Sequence, residues 1–240
     1  NTQEHLVKLV QAITSFDLAC FDKGDDDEED QESDGKIFMA LMDLLVVVSD
    51  NLKGDAFSIL KEVLPGVVEL VHKGEVFELD EFLGGYCDIV ENCPALIAHN
   101  TDIITDMIYE SPALEDPLPV RNGCFLLGVM HEANPEAMEP YVQKSLNFYM
   151  QCHSSFKEPE VKDNVVAGIV RIYNVDKKGL VPQGKLIETV LQSYPFTGDK
   201  SENPTLVSFA QTLLNKGTIL LNSRPCNFRC QHPAYMQDPS

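Results

Sequence analysis

The sequence predicts an all-α fold, a superhelix of stacked helix pairs. Three observations predict it. Apolar residues recur at helical spacing along nearly all of the 240 residues, and strand-like alternation is almost absent. Helical segments come in pairs joined by short turns rich in Gly, Pro and Asp. The pairs return with a period of roughly 40–47 residues, two helices to the unit.

The first segment, HLVKLVQAITSFDLACF, is amphipathic and ends at Gly24. Residues 1–24 therefore read as a helix of a preceding repeat. The run DDDEEDQESD follows from Asp25 to Asp34, with eight acids and no base. Residues 25–35 are expected to be a solvated, disordered loop, because like charges at that density cannot pack.

Paired segments begin at Lys36 and occupy residues 36–223. KIFMALMDLLVVVSDNL is partnered, across Lys53-Gly54-Asp55, by AFSILKEVLPGVVELVH. Pro65 lies inside the second of these. Apolar spacing continues beyond it, so the proline should kink the helix without ending it. EVFELDEFLGGYCDIVENC is partnered by PALIAHNTDIITDMIYES, where Pro94 sits in a first-turn position that tolerates proline. VRNGCFLLGVMHEA is partnered by PEAMEPYVQKSLNFYMQC, and EPEVKDNVVAGIVRIYNV by VPQGKLIETVLQSYP. YPFTGDKSEN then forms a turn, and NPTLVSFAQTLLN opens another unit. Residues 224–240 lack helical spacing and read as an irregular tail. Such an array is of the HEAT/armadillo type, with about four to five helix pairs.

The pairing has a physical cause. GCFLLGVM and NVVAGIV are apolar on nearly every side and need several neighbours to cover them. A lone hairpin cannot supply that cover, whereas stacked hairpins share one continuous core. Gly123, Gly128 and Gly168 should let neighbouring helices approach closely, since each would otherwise cost about 1 kcal/mol relative to Ala. An ordinary globular helical bundle is the plainer alternative, but it needs no repeated spacing.

Charge bounds the partners. Eighteen Lys and Arg stand against 38 Asp and Glu, for a formal charge of −20. Without the Asp25–Asp34 run the chain would still carry −12, so the acidity is general. Such a surface repels nucleic acid and anionic membrane and attracts basic proteins. No stretch approaches the ~18 apolar residues of a membrane span. No secretory leader is expected. The chain opens without Met on an amphipathic stretch already under way, which reads as a piece of something longer. Seven Cys at irregular spacing read as buried thiols of a reducing compartment.

Catalytic motifs are not evident. His131-Glu132 lacks the second His of a zinc-protease helix, and no Gly-rich phosphate loop is found. Cys226, Cys230 and His232 lie close together, but their spacing is not that of a zinc knuckle and a fourth ligand is missing. His72, His99 and His153 sit near helix ends or on polar faces, where a solvated His is the default. No cofactor and no enzymatic activity are expected.

The informative charges are acids at helical spacing. On PALIAHNTDIITDMIYES the apolar face reads as Ile103, Ile104, Met107 and Ile108. Asp102 and Asp106 lie opposite, one turn apart, with Glu110 next. Like charges at i,i+4 destabilise a helix by about 0.2–0.5 kcal/mol, so something should offset them. Glu62 and Glu69 on the preceding second helix would extend the ladder. A merely hydrated face is the plainer reading. The functional one is a surface for a Lys/Arg-rich partner.

The acidic run, ILKEVLPGVVELV, VRNGCFLLGVM, EVKDNVVAGIVRI and LIETVLQSYPFTGDKSEN occur in the order seen in the karyopherin-β (importin-β) superfamily. The chain resembles most the branch containing importin four and importin five. Leu64-Pro65 matches that branch's mid-helix Leu-Pro. Val161, Lys162, Asp163 and Asn164 match its Val-Arg-Asp-Asn. Tyr194-Pro195-Phe196 with Asp199 and Glu202 resembles its Leu-Pro-Leu…Asp…Glu turn, with aromatics in place of leucines. Val120-Arg121-Asn122 lacks the residue that intervenes in the family's Val-Arg-x-Asn. The resemblance spans roughly residues 17–216 and places the chain in the C-terminal part of such an array.

The resemblance implies a nuclear import receptor segment that shuttles between cytoplasm and nucleus and binds basic cargo such as ribosomal proteins or histones. It further implies the Ran GTPase and phenylalanine-glycine nucleoporins as partners, with Ran-GTP driving cargo release. It makes Asp25, Asp26, Asp27, Glu28, Glu29 and Asp30 candidate cargo contacts, beside Asp102, Asp106, Glu62 and Glu69. It also explains the Tyr194–Asn203 turn. The proline stops one repeat's second helix, the aromatics close the hairpin, and the acids lie near the next N-terminus. A HEAT-repeat scaffold subunit that does not shuttle is the alternative.

Overall fold

The computed structural model describes residues 2–14, 28–73, 79–110 and 115–215. Among them the regular elements are helical: α1 (Thr2–Thr14), α2 (Glu28–Leu52), α3 (Phe57–His72), α4 (Leu79–Asn92), α5 (Ile97–Glu110), α6 (Pro117–Ala133), the single turn α7 (Pro135–Met138), α8 (Val142–Ser155), α9 (Pro159–Val175), α10 (Gln183–Ser193) and α11 (Asn203–Asn215). They form two rows. In the first, α2, α4, α6, α9 and α11 each pack on the next. In the second, α1, α3, α5 and α7 follow one another, and α8 and α10 continue the row, both lying on α9. The extensive helix interfaces all fall within a pair or between neighbouring pairs, which makes the fold an α-α superhelix.

α1 packs on α3. α3 runs through Pro65 to His72, and Pro94 opens the 3-10 turn before α5. The acidic stretch is different from expectation. α2 begins at Glu28, so Glu28, Glu29 and Asp30 stand in its first turn and not in a loop. In general a helix N-terminus favours negative charge, because its dipole is positive there. Asp25–Asp27 and the predicted tail over 224–240 lie outside the described residues.

One apolar cluster runs from Val10 to Leu213. α6 and α9 are covered on almost every side, burying even Asp163, Asn164 and Arg171 on α9. Their approach depends on two glycines. A Cβ on Gly128 would lie 2.9 Å from the Gly168 Cα, and one on Gly168 would lie 2.3 Å from the Tyr149 hydroxyl oxygen. That hydroxyl donates to the Cys124 carbonyl at 3.0 Å and has nowhere to retreat. Gly123 is otherwise: a Cβ there would make ordinary contact with Ile108 at 3.5 Å.

Between α10 and α11 the chain is tied down by one carboxylate. Asp163 Oδ2 accepts the N–H groups of Thr197, Gly198 and Asp199 at 3.0, 2.8 and 3.0 Å. Gly198 must be glycine because its Cβ would lie 2.4 Å from the Glu160 nitrogen and the Pro159 carbonyl carbon. Asn203 holds the other side, accepting the Phe196 N–H at 3.1 Å and donating to its carbonyl at 3.3 Å. Phe196 is buried, whereas Tyr194 is exposed and closes nothing. Asp199 caps the next turn by accepting the Ser201 N–H at 3.2 Å, the role foreseen for it.

Glu202 does something else. It is buried and takes a bidentate pair from Arg171, at 2.7 and 2.9 Å. Arg171 also donates to Glu132 at 3.2 Å and stacks over the Phe125 ring at 5.0 Å. One guanidinium thus joins α6, α9 and the start of α11.

Two stability outcomes follow. Gly168→Ala, stabilising by helix propensity alone, should instead lower unfolding free energy by about 1–3 kcal/mol through overpacking, read by denaturant titration. Arg171→Met should cost about 3–5 kcal/mol by stranding Glu202, and adding Glu202→Leu should restore much of that loss.

Candidate functional site

The second-row acids are exposed but are not all free. Glu62 is exposed on α3. Glu69 is exposed too, and the Lys73 ammonium 2.8 Å away holds its carboxyl below the usual range. Asp102 and Asp106 lie one turn apart on the exposed face of α5, and the neighbouring helix pair meets them. The Tyr141 hydroxyl donates to Asp102. Lys144 of α8 lies 3.4 Å from both Asp106 and Glu110, with its ammonium 4.6 Å over the Tyr109 ring. The offset that the like-charge spacing called for is thus supplied from within the chain. On the apolar side of α5, Ile104, Met107 and Ile108 are buried, but Ile103 is 40% exposed and Ile97, Thr101 and Thr105 line the core instead.

A larger acidic feature lies on the first row. A groove of about 550 Å³ crosses α2, α4, α6 and α9 and ends at the Asp199 turn. Asp43 comes from α2, and Asp80, Glu81 and Asp88 from α4. Arg121, Asn122 and Phe125 come from α6, Asn164 from α9, and Asp199 and Ser201 from the turn. Gly84 and Gly85 also line it, and the missing Gly85 side chain leaves room for Met42, whose Cε would lie 2.8 Å from a Cβ there. Five carboxylates line it against one guanidinium. Burial and then the charge of Asp50 push the Asp88 carboxyl up from its ordinary value. Burial, then Asp88, does the same to Glu91 nearby. Such a field favours any cation that can enter.

The groove's polar wall is repeat-built. Asn122 accepts Arg121 through both Nε and Nη2, at 3.1 and 2.9 Å, and donates to the Asp80 carbonyl at 2.9 Å. One repeat later, Asn164 donates to the Glu160 carbonyl and to Asp199 Oδ2, each at 2.9 Å. Burial works against ionisation of Asp199. Hydrogen bonds from Ser201 and Asn164, and the charge of Arg121, still hold its carboxyl below the usual range.

Sequence reasoning missed this groove. Three of its five acids lie on α4, but Asp43 and Asp199 come from other repeats, and only the stacking brings them together. The signal was there in Asn122 and Asn164, equivalent first-row positions quoted only for their resemblance.

An apolar cleft of about 390 Å³ opens between α8 and α10 over α9, lined by Leu146, Met150, Ile169, Leu180 and Leu186.

Among the described residues a Ser–His pair lies buried between α6 and α8. His131 Nε2 and Ser145 Oγ are 2.8 Å apart, and the Tyr109 hydroxyl joins Ser145 at 2.8 Å. His131 is 1% exposed, and burial brings its pKa down to about 4. Burial likewise pushes the Cys124 thiol well above its ordinary range, away from reactivity. Cys226, Cys230 and His232 lie outside the described residues. Among the described residues no three His, Cys, Asp or Glu side chains converge to hold a metal ion, and no helix is long and apolar enough to cross a membrane. Comparison with protein-family models, curated proteins and solved structures finds no match to the chain.

His131 sets a pH dependence. Its folded pKa, about 4, lies below the ordinary 6.5, so the unfolded chain binds this proton first as pH falls. Stability is therefore full above pH ~6.5 and declines toward pH ~4 at up to about 1.4 kcal/mol per unit. His131→Gln should remove that part of the slope, seen as the difference between the two proteins' denaturant midpoints across this range.

Proposed function

We propose that the chain works by binding and not by chemistry, as a segment of a nuclear import receptor that takes a basic cargo on its acidic surface. The observation that carries this reading is the first-row groove, where five carboxylates face one guanidinium across four successive helix pairs. Spread charge of this kind suits an extended Lys/Arg-rich segment, such as a nuclear localisation signal or the tail of a ribosomal protein or histone. The resemblance to the importin-β superfamily supplies the remaining parts of the proposal. Ran-GTP would release the cargo by shifting the superhelix, and phenylalanine-glycine nucleoporins would carry the receptor between cytoplasm and nucleus. The cleft of about 390 Å³ between α8 and α10 supports the latter, being lined largely by apolar side chains.

A scaffold subunit that stays in place is the second reading. Immobilised phenylalanine-glycine repeats separate the two: a transport receptor is retained, and a scaffold passes through. Met150→Lys in the cleft should release a retained chain.

The cargo surface is tested with a fluorescent pentalysine peptide. Asp43→Asn, Asp80→Asn and Asp88→Asn together should weaken its binding about tenfold or more at 50 mM salt and flatten the salt dependence. Neutralising Asp25–Asp30 in a separate variant is the comparison. Equal binding by the groove variant and the parent protein would discard the groove as the cargo surface.

A further inference from the structure

Asn164 carries an unmet demand. It is 1% exposed and lines the acidic groove, and its side-chain Oδ1 has no hydrogen-bond partner. The orientation of the amide is set by its other end. Nδ2 donates to two oxygens, the Glu160 carbonyl and Asp199 Oδ2, and exchanging the two amide atoms would set an oxygen against both. A buried acceptor without a donor costs stability, and such groups are rare unless a partner completes them. The missing group is a donor, and the field around it asks for a cation.

We propose that the Asn164 end of the groove is a seat for one arginine side chain of a basic partner segment. The inference rests on the acidic groove being a cargo surface and adds which side chain it selects and where. Three observations favour a guanidinium. Asn164 Oδ1 is buried, so the incoming donor must shed water, and guanidinium is more weakly hydrated than ammonium. The Asp199 carboxylate is bound to the same amide through Nδ2, and a planar fork can serve two acceptors at once. Arg121 cannot turn in easily to fill the place, because Asn122 holds two of its nitrogens. The groove's acids meanwhile are too spread for a metal ion, with no three of the described ligand-type side chains converging. An extended peptide with several charges fits that spread.

The test uses the whole chain and two peptides of equal charge, pentalysine and the same peptide with arginine at its centre. The arginine peptide should bind about tenfold tighter, the worth of one added charge-assisted contact. It should also shift the side-chain amide resonances of Asn164, which pentalysine should leave in place. Ser201→Lys, at the exposed rim, introduces a cation beside the seat without touching the core. It should erase the preference for arginine. Both peptides binding alike, with the Asn164 resonances unmoved and Ser201→Lys silent, would overturn the seat and leave the acidic cargo surface standing. Neither peptide binding would overturn the cargo surface itself.

Discussion

α9 has almost no side left for solvent, and much of the structure follows from covering it. α9 touches α6, α8, α10 and α11, and it does so closely because Gly128 and Gly168 remove the side chains that would hold α6 and α9 apart. Burying a helix on nearly all sides leaves its polar residues inside as well. Each needs a partner: Arg171 takes Glu202 and Glu132, and Asp163 takes three backbone N–H groups. The polar bonds in turn fix where the next repeat begins, since the Asp163 turn and Glu202 both lie at the start of α11. Packing and register are thus set by the same helix.

The groove is a by-product of that arrangement. Gly84 and Gly85 thin one face of α4, and Asn122 and Asn164 anchor its polar wall to the repeats on either side. Basic residues that could balance its acids are used elsewhere. Lys144 bridges Asp106 and Glu110, Lys73 takes Glu69, and Arg171 is buried. A formal −20 spread over the whole chain tells little by itself. What matters is where the few cations leave carboxylates unpaired.

The helix pairs were legible because period and amphipathicity are local, and α3 through Pro65 or α6 with its glycines could be read directly. The start of α2 was not. Charge density argued for a loop over 25–35, whereas a helix N-terminus tolerates acids that a packed interior would not. Tyr194 and Phe196 read as a pair of closing aromatics, yet only Phe196 is buried. The difference depends on what α9 and α11 place above each ring. For the site, Asp102 and Asp106 were found by spacing along one helix. Of the groove acids, Glu81 and Asp88 share helical spacing on α4, but nothing local links them to Asp43 on α2 or to Asp199.

The sequence by itself determined that the chain is helical, that its helices pair, that the pairs repeat, and that the surface is negative. Those properties come from periodicity and composition, which need no knowledge of neighbours. Tertiary structure alone decided that Glu202 is an ion-pair partner and not a dipole cap. It also decided that Lys144 quiets the acids of α5, and that Asn164 brings a buried, unanswered oxygen to a groove of carboxylates. Each of these turns on contacts between residues a repeat or more apart, and only the stacking of one hairpin on the next sets that distance.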